Sequence, residues 1–352
     1  MDLQQLNRDV IRGRAGGKTI WQPRIGCWYD DRVFRGEEFP GEYSGCDLKG
    51  LYEKLGCSNR LYEFNVCLEA RLDPSVTFHN EEIGHRTWKQ RYDTPVGSVT
   101  AVYRGNDSNP GVMPEKWWIE SEEDLKVFAY IEEATSFAFN MDTYERLLTE
   151  WGHLGLPAMF LPRVSLQKLF IELSGVTDAI YLLSDYPDTV EAYFRPIERI
   201  NYGDNLHSKI LPPSLYEKYV LPEYQKRGDI LHKSGKFLFS HWDGDVRELL
   251  PYARISALDG IEAITPLPQG DVTLEEVAAA LGPDIFLVDG ICSILFSETF
   301  PLTMLEDQAR RVMELFEGHL VLGMSDEFPS DGKLERIVRV GEMVEEFNSR
   351  HG

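Results

Sequence analysis

Long apolar runs are missing from this 352-residue chain. Nothing approaches the roughly 18 consecutive apolar residues of a membrane span. The start, Met1-Asp2-Leu3-Gln4-Gln5, lacks the basic opening and apolar stretch of a secretory signal, so none is expected. Cysteine is scarce. Cys27, Cys46, Cys57, Cys67 and Cys292 are odd in number and form no C-x-x-C pair, which argues against a disulfide framework or a zinc finger. A reducing, cytoplasmic setting is the expectation. Positive charge is also short: 36 Lys and Arg face 58 Asp and Glu, a net charge of −22. Such a surface repels phosphate backbones and anionic leaflets, so neither nucleic acid nor a membrane is an expected partner. Hydrophobic residues at 43% are still ample for a sizeable core.

What is present comes in two styles. Residues 1–120 read as an irregular extension, with Gly-, Pro- and Asn-rich loops at 36–45 and 105–114. Between them, residues 85–104 read as a β-hairpin whose turn, Thr94-Pro95-Val96-Gly97, places Pro and Gly as a type I turn prefers. Residues 122–139 and 142–153 carry apolar side chains at helical spacing. From residue 199 onward the pattern is regular. Short β-rich segments at 199–202, 236–240, 260–264, 285–288 and 319–322 each precede a helical pattern, at 213–232, 246–255, 273–281, 301–316 and 332–347. Thr273 and Glu276 are spaced as a capping box. Such alternation means parallel strands covered on both faces. Five units after two or three earlier ones make about eight, the count of a (β/α)8 barrel. The expectation is therefore α/β: a TIM-like barrel in a single domain over 1–352, with 1–120 packed on a main barrel at 121–352. A doubly wound open sheet is the alternative.

In parallel α/β folds the chemistry sits at the carboxyl ends of the strands. Each of the five expected ends here carries a carboxylate. Asp204 comes with Asn205 and His207; Asp243 follows His241 and Trp242; Glu262 precedes Gln269; Asp289 precedes Cys292; Asp326 ends the last. Asp245 and Asp271 read instead as helix caps. His241 and Asp243, two residues apart at a strand end, point the same way, which suits a shared metal or proton. Five neighbouring acids would repel one another unless a cation or shared protons intervened.

Several runs also resemble a known family. They are Asn201-Tyr202-Gly203-Asp204, Leu221-Pro222-Glu223-Tyr224, and Gly235-Lys236-Phe237-Leu238-Phe239-Ser240-His241-Trp242-Asp243-Gly244. With Tyr92-Asp93-Thr94-Pro95-Val96-Gly97, the run from Trp118 to Asp124, and Pro187-Asp188-Thr189-Val190, they look like the uroporphyrinogen decarboxylase superfamily across residues 20–348. The resemblance implies a TIM-like barrel and one of two chemistries: cofactor-free porphyrinogen decarboxylation, or zinc-dependent methyl transfer with corrinoid proteins. The decarboxylases carry an arginine-rich run of the form RQAGR. The comparable Trp21-Gln22-Pro23-Arg24-Ile25-Gly26 has only Arg24. The methyltransferases carry His-x-Cys-Gly after the fifth strand and a further Cys after the eighth. Those positions here read His241-Trp242-Asp243-Gly244 and Gly323-Met324-Ser325-Asp326. A His241, Asp243, Asp326 set can still hold Zn2+, and carboxylate ligands leave it more electrophilic than thiolates do.

What the resemblance implies is thus a metal-dependent methyltransferase. It would activate a methoxyl or methylamine donor for transfer to cobalamin on a separate corrinoid protein, since no Asp-x-His-x-x-Gly motif occurs in the chain. Glu262, His207 and Asp204 are the expected catalytic groups, and Asn205, Trp242, Gln269, Asp289 and Cys292 the expected substrate contacts. A homodimer fits barrels of this kind. The alternatives are a metal-independent decarboxylase and a non-catalytic barrel that binds a tetrapyrrole or corrinoid. Only about a dozen residues join Pro187 to Ile200, where the resemblance implies a much longer helix.

Overall fold

The computed structural model describes residues 2–160, 163–197 and 205–351, leaving aside the side chains of 195–197 and 205. The strand expected at 199–202, and Asp204, lie outside the described residues. In chain order the strands are β1 Ile20–Trp21, β2 Leu68–Leu72, β3 Thr77–Gly84, β4 Thr87–Thr94, β5 Gly97–Gly105, β6 Val112–Lys116, β7 Thr135–Phe139, β8 Asn205–Leu206, β9 Phe239–Trp242, β10 Gly260–Glu262, β11 Phe286–Cys292 and β12 Leu320–Ser325. They fall into two compact units. One comprises Met1–Phe64, Glu145–Met159 and Asn205–Gly352; the other comprises Asn65–Tyr144 and Phe160–Asp204. The division does not follow the expected boundary at residue 120.

The first unit holds a six-stranded parallel sheet in the order β1-β12-β11-β10-β9-β8. Its order never reverses, as that of a doubly wound sheet would, and its last strand pairs with its first. Beyond β1 two irregular segments continue the row. Ser58 N donates to Trp21 O at 2.9 Å, Asn59 N donates to Leu154 O at 2.9 Å, and Leu61 bridges Pro157 in parallel. Residues 57–61 and 154–158 thus extend the six strands to eight strand-like positions. Among the described residues no backbone bond joins 154–158 to β8.

The 57–61 segment lacks an apolar run because its side chains build a buried polar lattice. Ser58 Oγ donates to Leu154 O at 2.8 Å and accepts from Asn7 Nδ2 at 3.0 Å and Gln22 Nε2 at 3.2 Å. One hydroxyl proton and two lone pairs are all used, which a buried hydroxyl needs. Nearby, the helix Leu3–Ile11 packs Leu6, Val10 and Ile11 against Ile20, Val288 and Val321, forming an apolar cluster.

The helices depart from the sequence pattern where proline intervenes. Leu274–Leu281 starts at the expected capping box, with both Thr273 and Glu276 bonds made. The pattern at 213–232 becomes Pro213–Leu215, a widened turn at Tyr216–Val220, and Leu221–Lys233. Pro222, which has no N–H, sits at the junction, as such irregularities favour. The helix expected at 246–255 shrinks to a tight turn structure at Leu250–Ile255, because Pro251 cannot sit inside a longer α-helix.

In the second unit the expected hairpin is present, with Thr94 opposite Gly97 and Thr87 opposite Arg104. It forms the centre of a four-stranded antiparallel sheet, β3-β4-β5-β6, and β6 begins inside the expected 105–114 loop. The helix expected to reach residue 139 stops at Glu133. Thr135-Ser136-Phe137-Ala138-Phe139, β-branched and aromatic in alternation, becomes β7 and pairs with β2. Among the described residues no helix is long and apolar enough to cross a membrane.

Candidate functional site

Three neighbouring strands and one irregular segment of the first unit meet in a buried charged cluster. His241 on β9 and Glu262 on β10 are register partners, so both side chains leave the same face of the sheet side by side. His241 Nδ1 lies 2.9 Å from Glu262 Oε1. Glu262 in turn receives Arg60 Nη1 on Oε2 at 2.8 Å, with Tyr62 OH at 3.3 Å from the same oxygen. Arg60 continues to Asp289 on β11, Nη2 to Oδ1 at 2.6 Å. Its Nε donates to Gln22 Oε1 at 3.1 Å, and Gln22 is tied back into the polar lattice through Nε2.

Asp289 reaches this cluster by a backbone distortion. Glu262 pairs with Val288, so strict alternation would send the next side chain to the opposite face. Asp289 instead has φ +85°, and its carboxylate accepts from both Arg60 and the Ala263 N–H, the latter at 3.1 Å. Ala263 at φ +65° and Asp326 at φ +70° share the left-handed region just past β10 and β12. Strain of this kind, at three adjacent strands, is characteristic of sites where a side chain must be aimed. Gly323 supplies the space, because a Cβ there would lie 2.3 Å from Asp289 Oδ1.

A second arginine lies after β1. Arg24 Nη2 pairs with Glu327 Oε1 at 2.6 Å, and Nη1 is 3.7 Å from Asp326 Oδ1. Two guanidinium groups therefore face four carboxyls. Burial opposes ionisation of Glu262, but Arg60 and the His241 contact together hold its carboxyl far below the usual range. Asp289, completely buried, is pushed up by burial against the pull of Arg60. Burial likewise pushes Glu327 up. The Cys27 thiol is pushed up to about 11, chiefly by burial and the Glu327 charge, so it remains a thiol at neutral pH.

The remaining sequence candidates are dispersed. Asp204 and the Asn205 side chain lie outside the described residues. His207 Nδ1 accepts from Lys209 N at 3.3 Å and its ring lies against Gly244, with no bond into the Arg60 cluster among the described residues. Trp242 is fully buried and packs edge-on against Tyr216, on the opposite side of β9 from His241. Gln269 cross-links its loop to Ser293 and the Ile294 N–H. Cys292, buried, donates its thiol proton to Pro266 O at 3.0 Å. Asp271, expected as a helix cap, instead accepts the Val246 and Arg247 N–H groups of the loop after β9, and Thr273 caps the helix that follows it. Asp245 pairs with Lys209.

The expected zinc set is not assembled. Among the described residues no three His, Cys, Asp or Glu side chains come together as a metal ion requires. His241 is turned onto Glu262 and Asp326 faces Arg24. The donors present therefore do not fit the group implied by the resemblance.

Arg60, Gln22, Tyr62 and Glu327 are the residues that sequence reasoning missed. The available signal was Gly56, which ends the helix Leu48–Leu55 in a left-handed cap at φ +63° and marks the entry of a new segment.

No family model matches the chain. No curated protein matches it either. Among solved structures it is similar to a methyltransferase from Methanosarcina mazei, at 12% identity and a TM-score of 0.47, over 70% of this chain and 75% of that one.

Proposed function

We propose that the first unit is a closed eight-strand barrel whose mouth carries a methyl-transfer enzyme. In this reading a small methyl donor of the methoxyl or methylamine type binds at His241. Its methyl group passes to a corrinoid brought by a separate protein. His241 gives the departing oxygen or nitrogen its proton through Nε2. The corrinoid partner and the donor class follow from the motif resemblance alone; zinc has no place in the reading, because its donors are not grouped.

The observation that carries the proposal is the His241–Glu262–Arg60 chain. Glu262 is held ionised by Arg60. A carboxylate on Nδ1 fixes the imidazole so that Nε2 is the nitrogen that exchanges protons. Among the described residues Nε2 has no hydrogen-bond partner, and the side chain is 14% exposed. The ring is therefore oriented at Nδ1 and leaves Nε2 uncommitted among the described residues, the arrangement a general acid–base histidine needs.

The test is methyl transfer from a panel of methoxyl and methylamine donors to free cob(I)alamin, followed by its absorbance. The wild type is expected to turn over at least one donor, and His241→Ala to lose about 10²–10⁴-fold in rate. No transfer from any donor, or His241→Ala at the wild-type rate, would sink the reading.

A further inference from the structure

The strand-end acids call for a positive charge between them, and the chain supplies one. We propose that Arg60 is the resident cation of this mouth, its guanidinium standing where a divalent metal would stand in a carboxylate–histidine site. What neutralises the acids is independent of which group, if any, is transferred, so this stands apart from the methyl-transfer reading.

Glu262 and Asp289 sit on adjacent parallel strands and are 7% and 0% exposed. Two buried carboxyls this close cannot both ionise without a cation. Arg60 makes its short bonds to them with different nitrogens, Nη1 on Glu262 at 2.8 Å and Nη2 on Asp289 at 2.6 Å, and Nη1 also donates to Asp289 Oδ2 at 3.4 Å. A planar fork can span two carboxyls in this way, whereas an ammonium acts as a point charge. The guanidinium is itself fixed, since Nε is bonded to Gln22. Gln22 must present its oxygen to Arg60, which has no acceptor, and its amide nitrogen is committed to Asn7, Ser58 and the Asn59 carbonyl. The cation is thus built into the buried lattice rather than recruited from solvent.

The histidine fits the same scheme. In metal sites the ligating ring is oriented by a carboxylate on its other nitrogen. His241 has that carboxylate, but Glu262 is bound to Arg60 and no group of three metal-binding side chains surrounds it among the described residues. The carboxylates that Arg60 binds, Glu262 and Asp289, therefore surround an internal cation, and Asp326 faces the second arginine, Arg24.

Two measurements on the full chain test this. The first is zinc binding by competition with a chromophoric chelator, for wild type and His241→Ala. The expectation is no site in the wild type tighter than the micromolar range. One equivalent bound tightly by the wild type and lost in His241→Ala would overturn the proposal. The second is thermal unfolding of Arg60→Ala with and without millimolar methylguanidinium. Loss of a buried ion-pair partner should lower Tm by roughly 5 °C, with part of the loss recovered by methylguanidinium and not by equal sodium chloride. An Arg60→Ala protein at wild-type Tm, indifferent to methylguanidinium, would overturn it. Should that variant not fold, Arg60→Lys serves instead: a Tm well below wild type supports the fork, and an unchanged Tm refutes it.

Discussion

Glu262 and Asp289 bond the same guanidinium, at 2.8 and 2.6 Å, yet their acidities shift in opposite directions. One positive charge cannot fully balance two carboxylates. Glu262 has the additional His241 contact and takes the charge; Asp289, wholly buried, holds its proton longer. The depressed Glu262 contributes stability that is present above its unfolded value of about 4.3 and lost as pH falls through the folded one. The raised Asp289 contributes stability present below about 3.9 and lost as pH rises through its folded value. Glu262→Gln should therefore cost most near neutrality, about 3–5 kcal/mol, with the deficit shrinking in acid. For Asp289→Asn the difference from wild type should move in the variant's favour as pH rises. Urea unfolding between pH 3.5 and 7.5 measures both, and parallel profiles for the two variants would refute the assignment. Three members of this cluster, His241, Glu262 and Asp289, were legible as polar residues at the ends of apolar strands. Arg60 was not, because its segment, Cys57-Ser58-Asn59-Arg60-Leu61, has none of the apolar character by which a buried parallel strand is recognised.

At the scale of elements, reading succeeded where one local force dominates. The Thr273–Glu276 capping box and the Pro95-Val96 turn are satisfied within a few residues, so their sequences suffice. Residues 135–139 fail that condition: their helical spacing is outweighed by pairing with β2, a partner more than 60 residues away. Strand β12 shows the same dependence on a distant neighbour. Gly323 lies within a fully buried strand, where glycine is costly, and its backbone is not left-handed. Its justification is the Asp289 carboxylate, which a Cβ would meet at 2.3 Å, with the Gln22 carbonyl at 3.0 Å. Gly323→Ala should consequently destabilise the protein by about 1–3 kcal/mol through overpacking, despite the better strand propensity of alanine. It should also disturb Arg60, visible as a displaced guanidinium resonance in the NMR spectrum. A neutral or stabilising effect in urea unfolding would mean that β12 has slack this packing does not show.

Across the whole molecule the net charge is −22, and the acids clustered at the strand ends need a cation or shared protons. Arg24 and Arg60 supply part of that charge from the chain, two guanidinium groups against four carboxyls. The architecture reads in a similar way. A count of about eight strand units was legible from alternation in the second half, but two of the eight positions, 57–61 and 154–158, carry no regular pattern of their own. They are held by single backbone bonds and by the Ser58 lattice rather than by long ladders. Closure of the row into a barrel would remove the edge at β8 by bringing its free side against the 154–158 segment, a junction across which no backbone bond is made among the described residues. Amide hydrogen exchange distinguishes the two cases. In a closed barrel the amides that face the junction, those of Asn205 and His207 and of residues 155 and 159, should exchange at rates close to those of the interior strand β11, whereas Ala158 N is bonded to Leu61 O in either case. In an open sheet they should exchange orders of magnitude faster than β11, as edge groups exposed to water do. Rapid exchange at both sides of that junction, with β11 protected, would rule out closure and leave an open six-stranded sheet with two appended segments.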